Sequence, residues 1–459
     1  MKKRFILAAS IIALAGNAFA GGYLTNTNQS IYFLRNPARD AAIGIDGVYF
    51  NPAGAAFYDD GFHIQFNWQN AHQKRDAYAM YGSAEQNYPL YKYNYGNPPE
   101  ADNGRKFTGR VDVPIQPSLF MLYNTGDWSF QFGFGFLGGG GECEYEHGVG
   151  MFEGLVGSKG VARLGNAFAG YSMESYVSGK QYFIGGTFTA ARKLSDNLSV
   201  SLGLRGMYVT NSYKGNISNM KLRALTGIEA MPVMEVDQTQ NPELSDLVLD
   251  CSQKGFGVAP IVGIDWKAAD WVNIAAKFEF KTKLRAETEA NNNEAFNTLA
   301  ASSPADFGKY LDGAKTPYDV PAFATLGFQF MPLDGLRLDL GYHHYFDMDT
   351  KQWTKDMVGN TNEILFGAEY DITDRIEVSA GYQKTIYDQT DLNISDMAFN
   401  LSCFSYGFGV GVRVSPAIKL NAAYFQTIYD DYTKEVAGQS KTTYSRTNRV
   451  IGLGIDISF

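Results

Sequence analysis

The chain has 459 residues, Gly 49, Tyr 29 and Phe 32 among them, and a formal charge of −9. Its mean hydropathy is −0.22, and no run of about 18 apolar residues follows the N-terminus, which excludes a helical membrane protein but not one that crosses with half-apolar strands. The acidic balance argues against nucleic acid as a partner.

Lys2, Lys3 and Arg4 precede an apolar run that closes on Ala18-Phe19-Ala20. Basic, apolar and small-residue regions in that order read as a cleaved secretory signal over residues 1–20. The mature chain would then begin at Gly21 with a charge of −12, and no Cys follows the run to carry a lipid anchor. Residues 21–60 read as a hatch, or plug. Within them GIDGVYFNPAGAAFYDD (44–60) has Asn51, Pro52, Ala53 and Gly54 at its centre. Such residues turn the backbone sharply and add little bulk, as a plug that shifts requires.

Residues 61–459 divide into fourteen alternating segments: 61–70, 113–123, 128–138, 179–193, 198–210, 254–267, 271–284, 318–331, 335–346, 362–371, 375–386, 403–414, 418–429 and 448–459. Trp128, Phe130, Phe132, Phe134 and Phe136 alternate with Ser129, Gln131, Gly133 and Gly135; Val272, Ile274, Ala276, Phe278 and Phe280 oppose Asn273, Lys277, Glu279 and Lys281. A charged face needs water or other charges beside it. A soluble sandwich would alternate too, with its aromatic face inward, so single strands leave both architectures open. Connections decide between them. Every second link is a tight turn rich in Gly, Pro, Asp, Asn and Ser, and those between are long. That asymmetry, with an even strand count and a terminal Phe459, predicts an all-β fold: a transmembrane antiparallel barrel of about fourteen strands, with the hatch in its lumen.

Two long loops have apolar residues at near-helical spacing. In 217–236 these are Ile217, Met220, Ala224, Ile228 and Met231, with Leu225 and Met234 beside them; in 294–313 they are Phe296, Leu299, Phe307, Tyr310 and Leu311. Adaptable Met-rich surface suits ligands of varied shape. A candidate groove is therefore formed by Met220, Leu225, Ile228, Met231, Met234, Phe296, Leu299 and Phe307, unless the two helices merely cap the barrel mouth.

Reactive chemistry is sparse. Cys143, Cys251 and Cys403 give neither metal spacing nor a complete disulfide framework. Gly133, Gly135 and Gly138 match G-x-G-x-x-G with no helix to follow. His343 and His344 point to opposite faces of a strand and cannot share a metal. Glu142, Glu144, Glu146 and His147 read as a solvated loop base. No catalytic residue, metal or cofactor is predicted, and no enzyme. Inward Arg205, Lys277, Arg337 and Arg413 are expected to pair with Asp265, Glu279, Asp339 and Glu377 across strands.

With signal, plug, fourteen strands and loop asymmetry in place, the chain resembles the outer-membrane long-chain fatty acid transporters of the FadL/TodX type. The specific match is Asn51-Pro52-Ala53, which is similar to the NPA motif of the family's hatch, just ahead of strand one. A second copy, Asn36-Pro37-Ala38, lies farther from that strand and is set aside. The resemblance implies passive passage of hydrophobic molecules from an apolar groove between the loops after strands five and seven, past a shifting hatch, and out through a kink in strand three. Gly138, Gly139 and Gly140 are the candidates for that kink. It also implies a monomer in the outer membrane of a Gram-negative bacterium, with membrane lipid around it and hydrophobic small molecules, long-chain fatty acids above all, as its partners. An aromatic hydrocarbon or haem channel, and a structural or adhesive barrel, are the alternatives.

Overall fold

The computed structural model describes residues 23–81, 90–100, 104–436 and 440–459; the segment read as a signal, 1–20, lies outside them. Fourteen wall strands follow one another around a closed antiparallel sheet. They are β1 Gly61–Tyr81, β2 Arg105–Thr125, β3 Trp128–Tyr145, β4 Phe168–Ser195, β5 Leu198–Ile228, β6 Leu247–Ala269 and β7 Val272–Glu279. Then come β8 Phe323–Leu333, β9 Leu336–Tyr345, β10 Thr361–Thr373, β11 Ile376–Ile386, β12 Cys403–Ser415, β13 Ile418–Tyr429 and β14 Ser440–Ser458. Closure is made by β1 against β14, from His63↔Ser458 to Tyr81↔Ser440.

Side-chain exposure settles which face is inside. Trp128 and Phe130 are 44% and 51% exposed, while Ser129 and Gln131 beside them are 0% and 4% exposed. Leu202, Leu204, Phe256, Ile264, Phe366 and Phe408 are exposed likewise, and Asp265, Asn273, Lys277 and Asp339 are buried. An apolar exterior around a polar interior is the inverse of a soluble sandwich and is the mark of a barrel in lipid. Among the described residues no helix is long and apolar enough to cross a membrane.

Six turns at one end have only two residues between strands, as at Gly126-Asp127 and Asp334-Gly335. Gly126 and Gly335 have φ of 57° and 76°, the left-handed backbone that tight hairpins need. At the other end the strands outrun the expected segments. β1 reaches Tyr81 rather than residue 70, and β5 reaches Ile228 rather than 210.

The loops correct one expectation and add an element. Residues 217–236 form no helix: β5 continues through them and pairs with a short strand, Met231–Val236, in a hairpin. The 294–313 loop does hold helices, Glu294–Ser302 and Pro304–Phe307. A further helix, Gly150–Leu164, lies in the loop after β3.

Candidate functional site

The N-terminal segment from Tyr23 to Tyr58 lies in the lumen and bonds to the wall in chain order. Ser30 and Ile31 meet Gln65 and Asn67 of β1, and the Tyr32 hydroxyl donates to Asp456 of β14 at 2.6 Å. Arg35 reaches Ser379, Asn421 and Glu377; Arg39 binds Asp46 and Glu369, both at 2.9 Å. The two carboxylate oxygens of Asp40 lie 2.9 Å from His343 Nε2, and Lys277 donates to the Tyr49 carbonyl at 2.7 Å. A lumen lined by polar groups thus finds many of its partners in a short polar segment.

Asn51 anchors this arrangement to the wall. Its amide donates to Asp265 of β6 at 2.6 Å, and its side-chain oxygen accepts from the Gly54 N–H at 3.0 Å, which bends the chain back on itself. The next three carbonyls with side-chain donors belong to the same turn. Pro52 accepts from Gln131 at 2.7 Å, Ala53 from Ser199 at 2.7 Å and Ala55 from Asn124 at 2.9 Å. The copy set aside in the sequence, Asn36-Pro37-Ala38, behaves in the same way. Asn36 donates to Asp339 of β9 at 2.6 Å and accepts from the Ala38 N–H at 3.1 Å. Its RNPAR context was the available signal, because two arginines flanking a turn need carboxylates, and the lumen supplies them.

Among the described residues, the ladder of the wall is interrupted between β2 and β3. β2 pairs with β3 at Arg110↔Glu144 and Val111↔Cys143, and pairing resumes only at Leu119↔Phe134. Pro114 and Pro117 lie on the unpaired edge of β2, where they have no N–H to offer a neighbour. On the other side, β3 has two register shifts against β4, between Phe136 and Gly138 and between Gly139 and Gly141. Gly139 and Gly141 take φ of 81° and 86°, which side chains resist. The tract Gly138–Gly140 is therefore within β3, not at its end. Behind the break is the N-terminal segment. The Asn26 N–H donates to the Leu137 carbonyl at 2.8 Å, Gln29 Nε2 donates to the Phe136 carbonyl at 2.7 Å, and Ser118 donates to the Gln29 carbonyl. A Cβ at Gly138 would collide with the Leu24 carbonyl.

Among the described residues, one cavity lies under the long loops and another beside the N-terminal segment. The upper one, about 110 Å³, is covered by three loops: Met151, Phe152 and Leu155 come from the helix after β3, Phe296, Leu299 and Phe307 from the helices after β7, and Met397 from the loop after β11. Ile217, Leu247 and Leu249 of β5 and β6 form its floor. Asp306 lies at the rim, its carboxyl pushed up by burial. Lys309, in the same loop, is held down to about 7 by burial. The lower cavity, about 10 Å³, lies between Thr25 and Tyr49 of the N-terminal segment, Leu137 of β3, and Arg205, Ile261 and Phe323. Leu137 and Thr25 also flank the break, so this small space adjoins it.

The predicted groove residues separate. Phe296, Leu299 and Phe307 line the upper cavity. Met220 is buried in a neighbouring cluster, and Leu225, Ile228, Met231 and Met234 are exposed on the hairpin. Sequence reasoning passed over Met151, Phe152, Leu155 and Met397. Of the luminal bases, Arg205 and Lys277 both pair with Glu279, and Arg337 pairs with Glu369, Asp371 and Glu377. Asp265 and Asp339 are bound instead by the asparagines of the N-terminal segment. The three cysteines are buried and unbonded to one another.

No family model and no curated protein sequence matches the chain. Solved structures do. A Pseudomonas aeruginosa FadL homologue has a TM-score of 0.66 at 16% identity, covering 96% of this chain and 100% of that one. The Ralstonia pickettii toluene transporter TbuX has a TM-score of 0.54 at 14% identity, covering 93% and 100%. The Pseudomonas putida toluene transporter TodX has a TM-score of 0.56 at 13% identity, covering 91% and 94%. The fold is therefore that of the FadL/TodX-type barrels.

Proposed function

We propose that this barrel is a passive outer-membrane channel of a Gram-negative bacterium for hydrophobic small molecules, with long-chain fatty acids as its substrates. The observation that carries the reading is the apolar cavity under the loops, set above a lumen whose plug lies directly behind a break in the wall. An apolar molecule leaves water for the cavity, because burial of its surface is favourable. It moves down to the space beside Tyr49. Residues 24–29 then shift as a hatch, and the molecule leaves sideways between β2 and β3 into the bilayer. The whole path runs inside one chain, so a monomer suffices.

A second reading, a channel for aromatic hydrocarbons, is favoured by the likeness to TodX and TbuX, which are toluene transporters. Solvent extraction of protein purified in mild detergent, with mass spectrometry against a porin treated identically, separates the two. Enriched fatty acids support the first reading, and enriched aromatics transfer the same mechanism to the second. No enrichment, together with no binding of added oleate or toluene, would favour a structural or adhesive barrel.

A further inference from the structure

The cations deep in the lumen are almost all compensated: Arg35 by Glu377, Arg39 by Asp46 and Glu369, Arg205 and Lys277 by Glu279. Arg75 of β1 and Arg446 of β14 are not. They stand directly opposite one another in the antiparallel register, 0% and 4% exposed. Among the described residues no carboxylate oxygen comes within 4.0 Å of either guanidinium. Two buried acids of the upper lumen, Asp396 and Glu363, are engaged elsewhere. Asp396 accepts from the Met151 N–H and the Tyr444 hydroxyl, and Glu363 is held by His343, Tyr345, Gln383 and Thr385.

Like charges directly across a strand pair repel, and burial removes the water that would screen them. Both groups are nonetheless held in place. Arg75 lies over the Phe399 ring and Arg446 over the Tyr429 ring, each 4.5 Å from the centroid. Arg75 spends one donor on the Phe399 carbonyl at 3.2 Å. Its Nε and Nη1, Nε and Nη2 of Arg446, and Nδ2 of Asn448 on the same face of β14 are buried with no acceptor. A surplus of donors around two uncompensated positive charges is what a bound oxyanion would satisfy.

We propose that Arg75 and Arg446 together bind an oxyanion, a carboxylate, phosphate or sulfate group, in the upper lumen. The planar forks of two guanidinium groups match the paired oxygens of such a group. The site adjoins the apolar cavity. Phe399, which binds Arg75, is two residues from Met397 in the cavity lining. The oxyanion is accordingly either the head of an amphiphile whose tail lies in that cavity or a free small anion. Only the first source rests on the transport reading.

The test uses the full chain in a nonionic detergent, with sodium laurate, dodecanol and sodium phosphate as probes. Wild type is compared with Arg75→Gln and Arg446→Gln, whose folding is checked by heat-modifiable migration. For an amphiphile head, laurate binds at least tenfold more weakly to either variant while dodecanol binding is unchanged. For a free anion, millimolar phosphate raises the wild-type unfolding temperature by several degrees, chloride at equal ionic strength does not, and the variants show no rise. Equal laurate affinity in wild type and both variants, with no phosphate-specific rise, overturns the site and leaves the transport reading standing. A phosphate rise with no binding of laurate or dodecanol supports the site and sinks the transport reading. Should a variant fail to fold, wild-type crystals grown with selenate decide: an anomalous peak in contact with both guanidinium groups supports the site, and its absence overturns it.

Discussion

Asn36 reaches Asp339 by the same 2.6 Å bond that Asn51 makes to Asp265, so the N-terminal segment is held to the wall by two equivalent amide–carboxylate contacts. Each asparagine also braces its own turn. Replacing either with Ala leaves a buried carboxylate short of one donor, a loss of about 1–3 kcal/mol. We expect Asn51→Ala to speed hydrogen exchange in residues 41–58 and Asn36→Ala to do so in 31–42, with the strand ladders as protected as before. Equal loss of protection in the ladders would mean that these bonds hold the barrel itself.

Gly138 is where the break and the N-terminal segment touch. A methyl group there meets the Leu24 carbonyl, so Gly138→Ala must push residues 24–29 off β3. Passage of a hydrophobic fluorescent probe into intact cells is expected to rise several-fold, with the barrel still heat-modifiable. An unchanged rate would show that the path does not run past Leu24.

The separation of the predicted groove residues can be read in binding. Phe296→Ser and Leu299→Ser each remove apolar surface from the cavity lining, worth roughly 1–2 kcal/mol, or about a tenfold loss of oleate affinity. Met231→Ser and Met234→Ser change only the exposed hairpin and are expected to stay within about twofold. The opposite ranking would move the groove to the hairpin.

Lys309 sets a pH dependence for the loop over the cavity. Burial holds its ammonium down to about 7, whereas in an unfolded loop it keeps its proton to about 10.4. Between those values the unfolded loop binds the extra proton, so loop stability rises with pH from about 7 to about 10.4 and is lowest below 7. Lys309→Met should flatten that slope and stabilise the loop by about 1 kcal/mol at pH 7, a modest gain because the side chain is only partly buried. Proteolytic nicking of residues 294–313 at pH 7 and pH 10 measures it. A variant that keeps the wild-type slope would place the titration elsewhere.

The wall is legible in the sequence because alternation and turn chemistry act locally. The upper parts of the strands are less so, for a reason visible at Asn219. Its φ of 52° marks a bulge opposite the shift between Ser172 and Glu174, and it moves the inward face of β5 from odd to even positions. Ile217 and Met220 thereby both point inward, three residues apart, and Met220 and Ala224 follow at four. A strand with one bulge has imitated a helix. The converse happens at Gly150–Leu164, whose glycines argue against a helix on propensity alone. Gly150 packs on Tyr91, Gly154 on Tyr81 and Gly160 on Phe168, so close packing outweighs propensity. The site is less legible than the wall, since the contacts of Asn36 with Asp339, or of Arg75 with Phe399, join residues hundreds of positions apart.

The seam between β1 and β14 also sets how the N-terminal segment and the wall depend on one another. Its partners are the first and last strands of the chain, and the Phe459 N–H bonds to the Phe62 carbonyl at 2.9 Å. The contact that closes the cylinder therefore joins strands more distant in sequence than any other neighbouring pair in the wall. Residues 23–58 are tied to β1 on one side of that seam and to β13, β11 and β9 on the other. The segment thus bridges the seam from within, and strands from both ends of the sheet share it as a common partner.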